Sequence, residues 1–206
     1  MKKSLTNGAS SPALQKEVYG SMALDTRQLY TTEDIMALPD GVRAELIDGE
    51  IFYMSSPNVT HQRLLLNLAV AFHSYQKQGS GGCETFIAPF AVFPLRDKYN
   101  YVEPDLMILC PSEEDERLQN DGIHGAPDFV LEIVSPSSRR MDYVRKLNKY
   151  SEAGVREYWI VDPSKEQITV YDLTNDEISF YTFEDKVPVG IYSDFSIDFT
   201  ELDFHR

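Results

Sequence analysis

Glu132 stands inside the apolar run FVLEIV, residues 129–134. A carboxylate there loses its hydration and gains nothing from apolar neighbours, so it has to be paired, protonated or bound to a cation. A second carboxylate, Asp105, opens another apolar run, PDLMILC, directly after Pro104. If the two runs are neighbouring strands, the carboxylates meet at one point. There they either share a proton or hold a hard cation, and oxygen ligands suit Mg²⁺ or Mn²⁺. Lys146 follows on a helix-like segment. Its ammonium could hold or activate a water and steady a developing oxyanion. Each residue also has a plain reading: Glu132 satisfied by backbone or an arginine, Asp105 as a strand-start residue, Lys146 as a solvated lysine.

The surrounding charge is unusual for this chain. Between Ser135 and Arg156 lie Arg139, Arg140, Arg145, Lys146, Lys149 and Arg156, against only Asp142 and Glu152. The whole protein has a formal charge of −14 and an isoelectric point near 4.6. That balance argues against a broad nucleic-acid-binding surface, which needs clustered positive charge. The basic stretch is an island. Arg139 and Arg140 at a helix start oppose the helix dipole, which favours an anionic partner such as phosphate.

The elements that must position these groups follow from periodicity and turn chemistry. TTEDIMALP reads as a short helix capped at Thr31 or Thr32 and stopped by Pro39. RAELIDGEIFYMS alternates around Asp48-Gly49, a hairpin signal. Residues 59–78 carry apolar side chains at three- and four-residue steps, which predicts a helix ending at Gly79. ETFIAPFAVFPL, YVEPDLMILC, APDFVLEIVSPSS and VREYWIVDP read as strands, with Pro136 ending the third. Ser137 or Ser138 caps a predicted helix over 139–153, closed by Gly154. QITVYDL and EISFYTF pair as an antiparallel hairpin, and the acidic stretch PSEEDERLQNDG reads as a solvated surface loop. This order predicts an α/β domain with a mixed sheet flanked by helices, plus hairpins towards both ends.

The 206 residues suffice for one domain over 26–206, preceded by a flexible arm at 1–25. No apolar run approaches the roughly 18 residues needed to span a bilayer. The first residues lack the apolar core of a secretory signal, so the expected location is cytoplasmic. Cys83 and Cys110, the only cysteines, have no metal spacing and read as reduced core thiols. His61 reads as a capping or surface residue, and His73, His124 and His205 have no partner spacing.

Pro104-Asp105 followed by Glu132 in an apolar strand resembles the PD-(D/E)XK nuclease superfamily. Its lysine normally lies two positions after the acidic residue, where this chain has Val134. Lys146 resembles a migrated replacement. The segments ELIDGEIFYMS, HQRLLLNL, EPDLMIL, GAPDFVLEIVSPSSRRMDYVRKLNKYSEAGVREYWIVDP and ITVYDL resemble the Uma2 family of restriction-endonuclease-like proteins. The resemblance implies a restriction-endonuclease-like core and Mg²⁺- or Mn²⁺-dependent hydrolysis of phosphodiester bonds in DNA. It implies Asp105, Glu132 and the Ile133 carbonyl as metal ligands, Lys146 as catalytic lysine and Glu45 as an additional acidic group. Asp142 and Tyr150, four residues either side of Lys146, share its helical face and would buttress it. Arg139 and Arg140 would contact flanking phosphates. A homodimer is the expected assembly for cutting both strands. The alternative is an inert nuclease-fold protein that binds or regulates, in which a local partner satisfies Glu132.

Overall fold

The structure is a computed structural model that describes residues 28–79, 82–112, 114–135 and 138–202. The arm at 1–25, the strand end at Pro136, the cap candidate Ser137 and His205 lie outside the described residues.

Six strands form the central sheet: β3 (Glu84–Ile87), β5 (Leu106–Leu109), β8 (Phe129–Ile133), β9 (Glu157–Asp162), β10 (Gln167–Asp172) and β11 (Glu177–Thr182). Their spatial order is β11-β10-β9-β8-β5-β3. Only the β8–β9 pair is parallel; its neighbours run antiparallel. A parallel pair needs a crossover, supplied by a helix over Met141–Lys146 and α3 (Leu147–Ala153). Gly154 ends α3 in the left-handed conformation, φ 91°, which glycine adopts without Cβ strain. The fold is therefore the expected mixed α/β sheet between helices.

Each face of the sheet has its own core. On one side α2 (Val59–Gln76) sets Leu64, Leu65, Leu68 and Phe72 against Leu106, Ile108, Phe129, Leu131 and Trp159. On the other side Tyr150 and Val155 pack with Met107, Val130, Tyr158 and Ile160. Strand alternation sends odd and even residues of β8 to opposite faces. Glu132 therefore shares its face with Val130, on the side of α3.

A short helix, α1 (Thr32–Met36), precedes the hairpin of β1 (Ala44–Ile47) and β2 (Glu50–Tyr53). In α1 the Asp34 carboxylate accepts the Thr31 N–H and hydroxyl at 2.7 and 2.9 Å. A second hairpin pairs β12 (Lys186–Pro188) with β13 (Ser196–Asp198). Towards the middle of the chain, β4 (Val92–Phe93), β6 (Leu118–Gln119) and β7 (Gly122–His124) make a small separate sheet.

Three expectations fail in the structure. ETFIAPFAVFPL is not one strand: it breaks at Ala88-Pro89 into β3 and β4, which join different sheets. The acidic stretch is not wholly a solvated loop, because Leu118–Gln119 forms β6 and Asp115 is gripped by Arg117 at 2.6 Å. Cys83 and Cys110 are not free thiols but a disulfide. They flank the Glu84↔Leu109 pair of the β3–β5 ladder, and this register brings their Cα atoms to 4.0 Å.

Candidate active site

The β5–β8 ladder pairs Leu106 with Leu131, so Asp105 and Glu132 occupy the next opposed positions, beyond the last paired residues. Cross-strand partners lie on the same face. Asp105 completes the approach by accepting the Ile133 N–H on Oδ2 at 2.8 Å. Both carboxylates line one cavity of about 360 Å³, together with Glu45, Asp142, Lys146, His61 and Arg43.

Lys146 forms the centre of this group. Its Nζ lies 2.8 Å from Glu45 Oε1, 2.9 Å from Glu132 Oε1 and 3.7 Å from Asp142 Oδ1. Tyr150 donates its hydroxyl to the same Glu132 oxygen at 2.9 Å. Both donors come from the crossover helix, whose first turns, Met141–Lys146, are π-helical. Such wide turns recur at functional sites; here the turn buries both Asp142 and Lys146. Tyr158 of β9 pins it by donating its hydroxyl to the Asp142 carbonyl at 3.1 Å. Glu45 arrives from β1, and its Oε1 also accepts the Glu103 N–H at 3.0 Å. The Glu103 carboxylate is in turn held by Arg43 and the Tyr101 hydroxyl.

Burial and crowding of like charges shape the electrostatics. Burial pushes the Glu132 carboxyl well above its ordinary range, although Lys146 opposes the shift. Burial likewise pushes Asp142 up to about 6. Burial alone would weaken the Lys146 proton, but Glu132, Glu45 and Asp142 outweigh it and keep the ammonium firmly charged. Four carboxylates thus line the cavity against the cations Lys146 and Arg43, leaving negative charge that a proton or a metal cation can neutralise.

The donor chemistry fits Mg²⁺ or Mn²⁺: the carboxylates are hard oxygen donors set beside the end of β8. Among the described residues no three Asp, Glu, His or Cys side chains stand together so that they could hold a metal ion, so the protein offers fewer than three such side chains to one. A bound ion would therefore keep waters in its shell, as Mg²⁺ habitually does.

The structure thus brings Asp105, Glu132, Lys146, Glu45, Asp142 and Tyr150 together, with Ile133 at their edge. It does not bring Arg139 into the cavity lining. The Arg139 guanidinium bonds Asp162 at 2.7 Å and the Ser164 hydroxyl at 2.8 Å, and Arg140 lies exposed on the surface. Much of the basic island is spent on acidic partners: Arg145 on Glu50, Lys149 on Asp48 and Glu152, Arg156 on Asp128. Sequence reasoning missed His61. Asn58 caps α2 by accepting the His61 N–H, while the ring Nε2 lies 3.0 Å from Asp105 Oδ2. No local signal announces that pairing, because its partner lies on another element. Arg43, which sequence reasoning also passed over, lines the same cavity.

The core is a parallel β-strand–helix–β-strand unit with carboxylates gathered at a strand end. The fold has solved counterparts: a "putative nuclease belonging to DUF820" from Anabaena variabilis is similar with a TM-score of 0.68 and 20% identity, over 84% of this chain and 96% of that one. The Uma2 family, described as "Putative restriction endonuclease", matches residues 32–198, and the chain belongs to that family. No curated protein matches the chain.

Proposed function

We propose that the cavity hydrolyses phosphodiester bonds in DNA with the help of Mg²⁺ or Mn²⁺. The observation that carries this reading is the Lys146 ammonium, held between Glu45 and Glu132 in a cavity that Asp105 also lines. Asp105, Glu132 and the Ile133 carbonyl would hold the ion. When bound, a divalent ion polarises a non-bridging phosphate oxygen and lowers the pKa of a bound water towards neutrality. Lys146 would orient an attacking water and stabilise the negative charge that develops on the phosphoryl oxygens as the P–O ester bond breaks. Glu45 and Asp142 fix the ammonium, and Tyr150 fixes Glu132. Arg43, lining the cavity, and Arg140, on the surface, are the cations nearest in role to phosphate contacts. Two copies of the chain would serve to cut both strands of a duplex.

A second reading has its own observation. Glu132 already has local partners, Lys146 and Tyr150, as an inert nuclease-fold binding protein would require. In that case the ammonium itself is the cation of the site. Incubation of supercoiled plasmid with Mg²⁺ or Mn²⁺ separates the two. Nicked and linear products that vanish in Lys146→Ala and on chelation support the hydrolase. Intact plasmid under every metal condition supports the inert reading.

A further inference from the structure

We infer that His61 is a positioning residue that fixes the Asp105 carboxylate for cation binding; the inference rests on the hydrolase reading of the cavity. Asp105 Oδ2 receives two donors, the Ile133 N–H at 2.8 Å and His61 Nε2 at 3.0 Å. Oδ2 already acts as an acceptor towards the Ile133 N–H, and this geometry assigns the facing imidazole proton to Nε2. Two donors converging on one oxygen fix the plane of the carboxylate. That leaves Oδ1 as the oxygen for a ligand in the cavity that Asp105 lines.

The histidine is rigidly mounted. It is the third residue of α2, whose first turn is capped by Asn58 and whose Leu64, Leu65 and Leu68 are locked into the core. The two side chains are only 13% and 15% exposed. His61 Nδ1 is buried and meets no partner among the described residues. A buried polar atom without a partner is a cost, and an apolar side chain at this position would avoid it. The bond to Asp105 compensates that cost. Groups that hold a metal-binding carboxylate commonly contribute about 10- to 100-fold to metal affinity.

The test is Mn²⁺ binding to the full chain, read as loss of the free-ion electron paramagnetic resonance signal. Wild type, His61→Leu and His61→Gln are compared, with metal-free melting curves as a folding control. Gln carries its amide nitrogen close to the position of the ring Nε2, so it restores the donor. Expected are binding weakened about 10- to 100-fold in His61→Leu and recovery to within a few-fold of wild type in His61→Gln. Should His61→Leu fail to fold, His61→Asn replaces it, since its shorter amide stops near the Nδ1 position and cannot reach Asp105. If wild type binds and His61→Leu binds equally well, or if His61→Gln is as weak as His61→Leu, the positioning role is overturned while the hydrolase reading stands. If wild type binds no Mn²⁺, the hydrolase reading falls and the inference falls with it.

Discussion

Lys146 Nζ and Glu45 Oε1 lie 2.8 Å apart with both side chains almost wholly buried, joining the crossover helix to the β1–β2 hairpin. This pair brings an element outside the central sheet into the site, and it makes the ammonium a structural as well as a chemical centre. Removing one partner of a buried ion pair strands the other, which typically costs about 3–5 kcal/mol.

Replacing Lys146 by Met therefore destabilises the fold by about 3–5 kcal/mol at neutral pH. Glu45, Glu132 and Asp142 would lose their common cation. Urea denaturation measures the loss. The deficit shrinks as the pH is lowered, because protonated carboxyls no longer need the ammonium.

Replacing Tyr150 by Phe deletes the hydroxyl that donates to Glu132 while keeping the ring packed on Tyr158. A net hydrogen bond contributes about 0.5–1.5 kcal/mol, and burial, which pushes the Glu132 carboxyl well above its ordinary range, gives no reason to count the full strength of a bond to a charge. The variant should lose about that much unfolding free energy in urea denaturation, with a lower midpoint and unchanged circular dichroism.

Asp142 gives a pH signature. Burial raises its carboxyl from 3.8 to about 6 in the folded protein, so folding favours the protonated form. That stabilising contribution is complete below the unfolded value and is lost as pH rises through about 6. Asp142→Asn, which cannot ionise, should gain stability relative to wild type between pH 4 and 7, on the order of 3 kcal/mol at roughly 1.4 kcal/mol per pH unit. Denaturation midpoints of both proteins across that range check the sign.

The disulfide between Cys83 and Cys110 closes a loop with a sequence separation of 27 and ties edge strand β3 to β5. Its loss in Cys83→Ser should cost about 2–4 kcal/mol through the freed unfolded chain. Melting with and without a reducing agent measures this, and the variant should be insensitive to the reductant.

What the sequence disclosed depended on how local the determining interaction was. Glu132 was legible because one charge in an apolar strand violates the pattern of its own segment. The helix at 59–78 and the Asp48-Gly49 hairpin were legible from periodicity and turn chemistry. Lys146 was legible only through resemblance, since a lysine on an amphipathic helix is ordinary; its meaning lies in carboxylates from β1 and β8. His61, the disulfide and the Arg139–Asp162 pair were not legible. Each depends on strand register or on how α2 and the crossover helix sit on the sheet, and no short window of sequence carries that information. The π-helical turn at Met141–Lys146 likewise has no local signal in residue types that suit an ordinary helix.

The most direct test of a cation held at Glu132 is thermal melting of wild type and Glu132→Gln, each with and without Mn²⁺. Ligand at about 100 times its dissociation constant stabilises a folded protein by roughly 2.7 kcal/mol, which for a chain of this size raises the melting temperature by about 5–10 °C. A cation at Glu132 requires that shift in wild type and its loss in Glu132→Gln. An unchanged melting temperature in wild type, or an equal shift in both proteins, would contradict a cation held by Glu132 beside Lys146.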